Sequence, residues 1–216
     1  MISFETFDKK LTEHYQQFDK HDSLVRDGII DVDRFARAKY KILWILKEPY
    51  GDGRFSYPAY IHDFRFGQGY PTSGSMWHKI TYTNYGILNK FMQWSEIPAL
   101  KVDENVFNTL KACAIINLKK LPGGIISYYG EIKEAYEKSK GIINEQINLI
   151  SPDIIICGGT FGFISSDLGI KNPFGSEADF GFLMRNKLIV NAYHPSYYFK
   201  RQEKYCNEII AGVENS

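Results

Sequence analysis

Three polar side chains stand where apolar runs of this chain stop. Glu48 follows KILWIL (Lys41–Leu46) in the loop KEPYGDG, Asn117 closes ACAIIN (Ala112–Asn117), and His194 follows KLIVNAY (Lys187–Tyr193). Each offers different chemistry. The Glu48 carboxylate, stiffened by Pro49, can hold or activate a water that lies within hydrogen-bond reach of a substrate. The Asn117 amide carries a donor and an acceptor together, the pair needed to read a nucleobase edge. His194, aimed by Pro195, can donate to an oxygen that gains negative charge in a transition state. Each also has a plain structural use: Glu48 as a cap or salt bridge, Asn117 as a holder of loop backbone, His194 as a packed imidazole.

Ser196, Tyr197, Tyr198, Phe199, Lys200 and Arg201 follow the histidine. Aromatics beside cations suit a surface that wedges into or stacks on bases while the cations meet phosphates. The other reading is a first helical turn that buries one ring, with Ser196 as its N-cap. Tyr50 offers a wall for a flat pocket, or packing beneath its loop. The histidines (His14, His21, His62, His78, His194) lack close metal-ligand spacing, so no metal site is expected. The chain has no GxSxG elbow and no phosphate loop, since SGS at Ser73–Ser75 lacks the GK[ST] ending.

These residues need elements to position them. Lys41–Leu46, Ala112–Asn117, Ile154–Cys157 and Lys187–Tyr193 read as four buried strands. Helical spacing runs through Phe4, Phe7, Leu11, Tyr15 and Phe18, through Ile80 to Phe91 with an end near Trp94, through Ile132 to Ile150, and past Arg201. Residues 31–40 read as a short helix or turn. Tyr50–Gly74 reads as one long functional loop, with Phe55, Phe66 and Tyr70 as candidate stacking rings. Alternation of strands and helices predicts an α/β fold, with helices on both faces of a central four-stranded, mostly parallel sheet. Ligands bind such sheets outside the carboxyl ends of the strands. Glu48, Asn117, Gly158–Gly159 and His194 are therefore expected to converge.

At 216 residues a single domain spanning 1–216 is expected, with residues 1–39 as an N-terminal helical segment. The net charge of +1 supplies no global field toward nucleic acid, although a local basic patch remains compatible with it. Cys113, Cys157 and Cys206 are too far apart for a CxxC pair and read as buried hydrophobes in a reducing compartment. No apolar run approaches a membrane span and the start lacks a signal-peptide pattern, so a cytoplasmic location is expected.

Taken together, KEPYG, AIINLKKL and HPSYY resemble motifs of the uracil-DNA glycosylase superfamily. The resemblance runs from about Lys41 to Arg201, and its specific motifs cover some twenty residues. It implies a three-layer α/β/α glycosylase-like fold and a base-excising hydrolase. Glu48 would take the place of the water-activating Asp in the branch that carries Gln-Asp-Pro-Tyr. Pro49, Tyr50 and Gly51 would border the base, Asn117 would read its edge, and His194 would stabilise the departing uracil anion. Ser196 to Arg201 would meet DNA, with Tyr197, Tyr198 or Phe199 as wedge. The four cysteines of the iron–sulfur branches are absent, so no cofactor is implied. The implied partners are DNA and a nucleobase, with the protein a monomer. The rival reading is a non-catalytic nucleobase or nucleic-acid binding module on the same fold; a weaker one is a hydrolase of free nucleosides or other small molecules.

Overall fold

The computed structural model describes residues 3–68, 75–170, 181–184 and 187–216. Tyr70, one of the candidate stacking rings, and the SGS stretch up to Gly74 lie outside them. In chain order the elements are α1 (Phe4–Tyr15), β1 (Gly28–Ile29), α2 (Val32–Arg37), β2 (Ile42–Leu46), α3 (Tyr57–His62), α4 (Ser75–Leu88), α5 (Glu104–Asn108) and β3 (Ala114–Asn117). They continue with α6 (Tyr129–Ile150), β4 (Ile154–Gly158), α7 (Phe161–Ile164), β5 (Gly181–Met184), β6 (Lys187–Ala192) and α8 (Gln202–Glu214).

The fold is α/β, and its sheet is larger and more mixed than expected. Six strands lie in the order β1-β3-β2-β4-β6-β5. The inner pairs β3-β2, β2-β4 and β4-β6 are parallel, while β1 on β3 and β5 on β6 are antiparallel. The expected four-stranded sheet is corrected by these two edge strands. β1 has two residues, too few for any period, and the four residues of β5 pair antiparallel with β6. β1 also corrects the N-terminal segment, which is not purely helical.

The inner strands are apolar on both faces because both are covered. Ile42, Trp44, Leu46, Ile154 and Ile156 join one core with Ile80 and Ile87 of α4 and Ile209 and Ile210 of α8. Leu43, Ile45, Ile116, Ile155 and Cys157 join the other core with Ile132, Tyr136, Ile143 and Ile147 of α6. Phe7, Leu11 and Tyr15 of α1 form a smaller cluster with Leu24 beside α6, and Lys10 Nζ donates to Glu145 Oε1 (2.7 Å) across that contact. All three cysteines are buried and free, and burial pushes each thiol up to about 12.

Two further expectations change. The stretch from Tyr50 to Gly74 contains α3, started by Ser56, whose hydroxyl accepts from Ala59 N–H, with Pro58 in its first turn. The fourth helix stops at Leu88, not near Trp94, and Lys90 and Phe91 both carry a φ of 59° just beyond it. Among the described residues no helix is long and apolar enough to cross a membrane.

Candidate active site

Parallel pairing brings the ends of β2, β3, β4 and β6 to one edge, as their registers require. Leu46 lies opposite Asn117, and Gly158 lies opposite Ala192. Beyond the strands, Leu118 N–H donates to the Leu46 carbonyl and Lys119 N–H to the Lys47 carbonyl, both at 2.9 Å. The loops after β2 and β3 are thus tied side by side.

Glycines make close approach possible here. Gly159 has a φ of 71°, and a Cβ there would sit 3.2 Å from Lys47 Cε and 3.3 Å from His194 Cβ. Lys47 and His194 therefore flank it. A Cβ on Gly158 would meet Leu46 Cδ2 at 2.7 Å and Pro195 Cδ at 3.1 Å. The GGT turn lets the His194–Pro195 loop fold across the end of β4.

Glu48 lies against a third glycine. A Cβ on Gly123 would overlap its carboxylate, and Gly123 N–H donates to the Pro49 carbonyl (3.0 Å). Lys119 Nζ donates to Glu48 Oε2 at 2.6 Å, and the Glu48 side chain is only 4% exposed. Glu131 is the second partner of Lys119, at 3.3 Å. Burial opposes the charge of Lys119, yet the bonds to Glu48 and Glu131 raise its pKa overall. Glu48 Oε1 has no hydrogen-bond partner among the described residues. Pro49 is buried, Tyr50 is exposed and bridges to Gly123, and Gly51 is exposed with a φ of 124°.

His194 is held through one ring nitrogen. Ser196 N–H donates to Nδ1 (3.2 Å), and the Ser196 hydroxyl lies 2.6 Å from the same atom. Acceptance from a backbone N–H places the proton of a neutral ring on Nε2. Burial first, then the Lys47 and Lys79 charges, push the imidazole down from 6.5 to about 4. At neutral pH it is thus an uncharged Nε2–H donor, and Nε2 has no partner among the described residues.

Ser196 is not the expected N-cap. The helix begins six residues later, with Arg201 in the cap position and no side-chain cap bond. The intervening segment is an exposed aromatic loop. Tyr193 stacks on Tyr197 (4.7 Å between centroids, 11° between planes), while Tyr198 and Phe199 are 78% and 72% exposed. Lys79 Nζ, on buried α4, donates to the Tyr197 carbonyl (2.7 Å), and Tyr205 OH donates to the Tyr193 carbonyl (2.8 Å). Lys200 lies over the Tyr193 ring (4.9 Å) and pairs with Glu208, so part of its charge is neutralised; Arg201 is exposed. Ile125, Ile126 and Tyr128, with Tyr129 at the start of α6, give a second exposed apolar stretch after β3.

Asn117 has surroundings that its sequence context does not show. It is wholly buried, its backbone N–H donates to Asp27 Oδ2 (2.8 Å), and its Nδ2 lies 3.4 Å from the same oxygen. Asp27 also pairs with Lys120 at 2.6 Å, both side chains having no exposure. Gln146 Nε2 donates to Asp27 Oδ1 and to the Asp27 carbonyl, both at 3.0 Å. The Tyr57 hydroxyl lies beside Asn117; burial, then the Asp27 charge, raise its pKa and keep it protonated.

The parallel strands thus place Glu48, Asn117 and His194 at one end of the sheet, with Asn117 as the last residue of β3 and Glu48 and His194 in the loops after β2 and β6. Sequence reasoning missed Lys47, Lys79 and Lys119, Gly123, and the Asp27–Lys120 pair. The run INLKKLPGG carries three of these, but a Lys-Lys in a loop normally reads as solvated. Among the described residues no group of three or more His, Cys, Asp or Glu side chains comes together to hold a metal ion. No protein-family model matches the chain, and no curated protein matches it in sequence.

Proposed function

We propose that this chain is a DNA N-glycosidase-like protein of the uracil-DNA glycosylase type, which flips uracil or a related damaged base and hydrolyses its glycosidic bond. The observation that carries this reading is His194: a neutral Nε2–H donor with Lys47 and Lys79 beside it. Donors and cations arranged before the reaction favour an oxygen that becomes negative as a bond breaks. A nucleobase leaving as an anion develops charge on its carbonyl oxygen in this way.

In the proposed reaction the flipped base enters the crevice, at a flipping cost of a few kcal/mol that Tyr198 and Phe199 offset by filling the stack. A water on Glu48 Oε1 attacks the sugar C1′. The C1′–N bond breaks and its electron pair leaves on the base, whose oxygen accepts a hydrogen bond from His194. The water proton passes to Glu48. Lys119 fixes the carboxylate through Oε2 and leaves Oε1 for the water.

One observation favours the second reading, a nucleobase-binding module that does not cut. Glu48 is enclosed by Lys119 and Gly123, with little room for water. Release of free uracil from uracil-containing DNA, followed chromatographically, separates the two. The first reading expects release that falls ~10²–10⁴-fold in Glu48→Gln. Full activity in both Glu48→Gln and His194→Ala removes these residues from the mechanism. Tight binding without release establishes the module.

A further inference from the structure

The structure holds a buried charge pair that the reaction outlined above does not use, and it bears on Asn117. We infer that Asp27 sets base specificity by turning the Asn117 amide so that its oxygen is left for the base, which must then offer a ring N–H. The inference rests on the reading of Asn117 as the residue that meets the base edge.

An ionised carboxylate only accepts hydrogen bonds. Asp27 Oδ2 receives the Asn117 backbone N–H and faces its side chain at 3.4 Å, while Oδ1 receives Lys120 Nζ and Gln146 Nε2. Against such a group Asn117 must present its NH₂, because the flipped amide would set oxygen against oxygen. The orientation is fixed by chemistry. Lys120 is the counter-ion: its ammonium is fully buried 2.6 Å from Asp27 Oδ1 and also donates to the Asn117 carbonyl (3.3 Å). A buried ion pair adds little stability over an apolar pair of the same volume, so its use here is to position.

The other end of the amide completes the inference. Asn117 Oδ1 is buried and has no hydrogen-bond partner among the described residues. Buried acceptors are almost always paired, so a ligand donor is favoured at this atom. A free acceptor at this atom matches the ring N–H of a lactam edge, where that N–H lies next to a carbonyl. Uracil presents that edge, as does hypoxanthine. Cytosine and adenine present a ring nitrogen lone pair at the matching position, which Oδ1 repels. The preferred class is thus the bases in which an amino group has been replaced by a carbonyl.

The test compares binding to otherwise identical single-stranded oligonucleotides that carry uracil, N3-methyluracil, hypoxanthine or cytosine, using the full chain. Cytosine is the control of equal size. The wild type is expected to prefer uracil and hypoxanthine by about tenfold or more over the other two, the scale of one good base-edge pair. Asp27→Asn gives Asn117 a neighbour that can donate, so the preference should fall to within about threefold, a change read in affinity. The double variant Asp27→Leu, Lys120→Met removes both charges and guards against a folding defect from a lone buried lysine. A folded double variant that keeps the full preference makes Asp27 merely structural and overturns the inference. So does equal binding of all four oligonucleotides by the wild type, which needs no variant. Preference without base release upholds the inference while the glycosidase reading falls. Release of uracil with no preference does the reverse.

Discussion

Replacing Gly123 with alanine probes the most crowded point of the site. A Cβ at this position would overlap the Glu48 carboxylate, the mobile end of a side chain and not backbone. The main chain can stay while the carboxylate leaves Lys119. A hydrogen bond between charged groups contributes ~1.5–3 kcal/mol. Lys119 retains Glu131 at 3.3 Å, which partly compensates, so the expected loss is about 1–2 kcal/mol. In a chain of this size each kcal/mol lowers Tm by about 2–4 °C, which gives a fall of about 2–8 °C. The assay is a double-mutant cycle with Glu48→Ala, read by thermal or denaturant unfolding. Once the carboxylate is gone, the new methyl has room, and Gly123→Ala should be nearly neutral. The coupling energy should therefore equal most of the single-variant loss. If Gly123→Ala destabilises both backgrounds equally, the cause lies in the backbone, and the account of Glu48 packed against Gly123 is wrong.

Two further outcomes follow from the same edge. His194 should titrate near pH 4 by NMR, and Lys47→Ala or Lys79→Met should raise that midpoint; a midpoint between 6 and 7 would contradict its burial among cations. The unfolded chain binds this proton from pH 6.5 downward but the folded chain only near 4, so the stability this group contributes is complete above 6.5 and is lost as pH falls toward 4. Tyr198→Ala and Phe199→Ala should change stability by less than about 0.5 kcal/mol, since both rings are exposed. Each should weaken single-stranded DNA binding by ~1–3 kcal/mol in fluorescence anisotropy, and unchanged affinity would remove them as stacking or wedge residues.

The central strands were legible because a parallel strand covered on both faces is a continuous apolar run, as in ILWIL and IIIC. Their shared carboxyl edge then followed from the strand–helix alternation that makes them parallel, and with it the placement of Glu48, Asn117 and His194 at that end of the sheet. β1 was illegible because two residues carry no period, and α3 because its Ser56 cap and Pro58 lie among aromatics that read as loop. Ser196 misled for a related reason: the residue has a cap's chemistry, but its backbone N–H and hydroxyl are turned to His194. The charges were hidden by distance. Asp27 and Lys120 meet across 93 residues, and Lys79 reaches the Tyr197 carbonyl across 118. No local pattern in sequence encodes such pairings. Glycine roles divide the same way, since Gly158–Gly159 announces a tight turn while the need for Gly123 depends on where Glu48 comes to rest.

The central claim is that His194 stabilises a base leaving as an anion, and leaving-group dependence tests it most directly. Single-turnover release would be measured from DNA carrying one uracil or one 5-fluorouracil, with wild type and His194→Ala. 5-Fluorouracil forms the more stable anion and needs less assistance. The account predicts that His194→Ala lowers uracil release by ~10²–10³-fold, the cost of one removed transition-state donor, and lowers 5-fluorouracil release by much less. Equal losses on both bases, or no release of either base by the wild type, would contradict it.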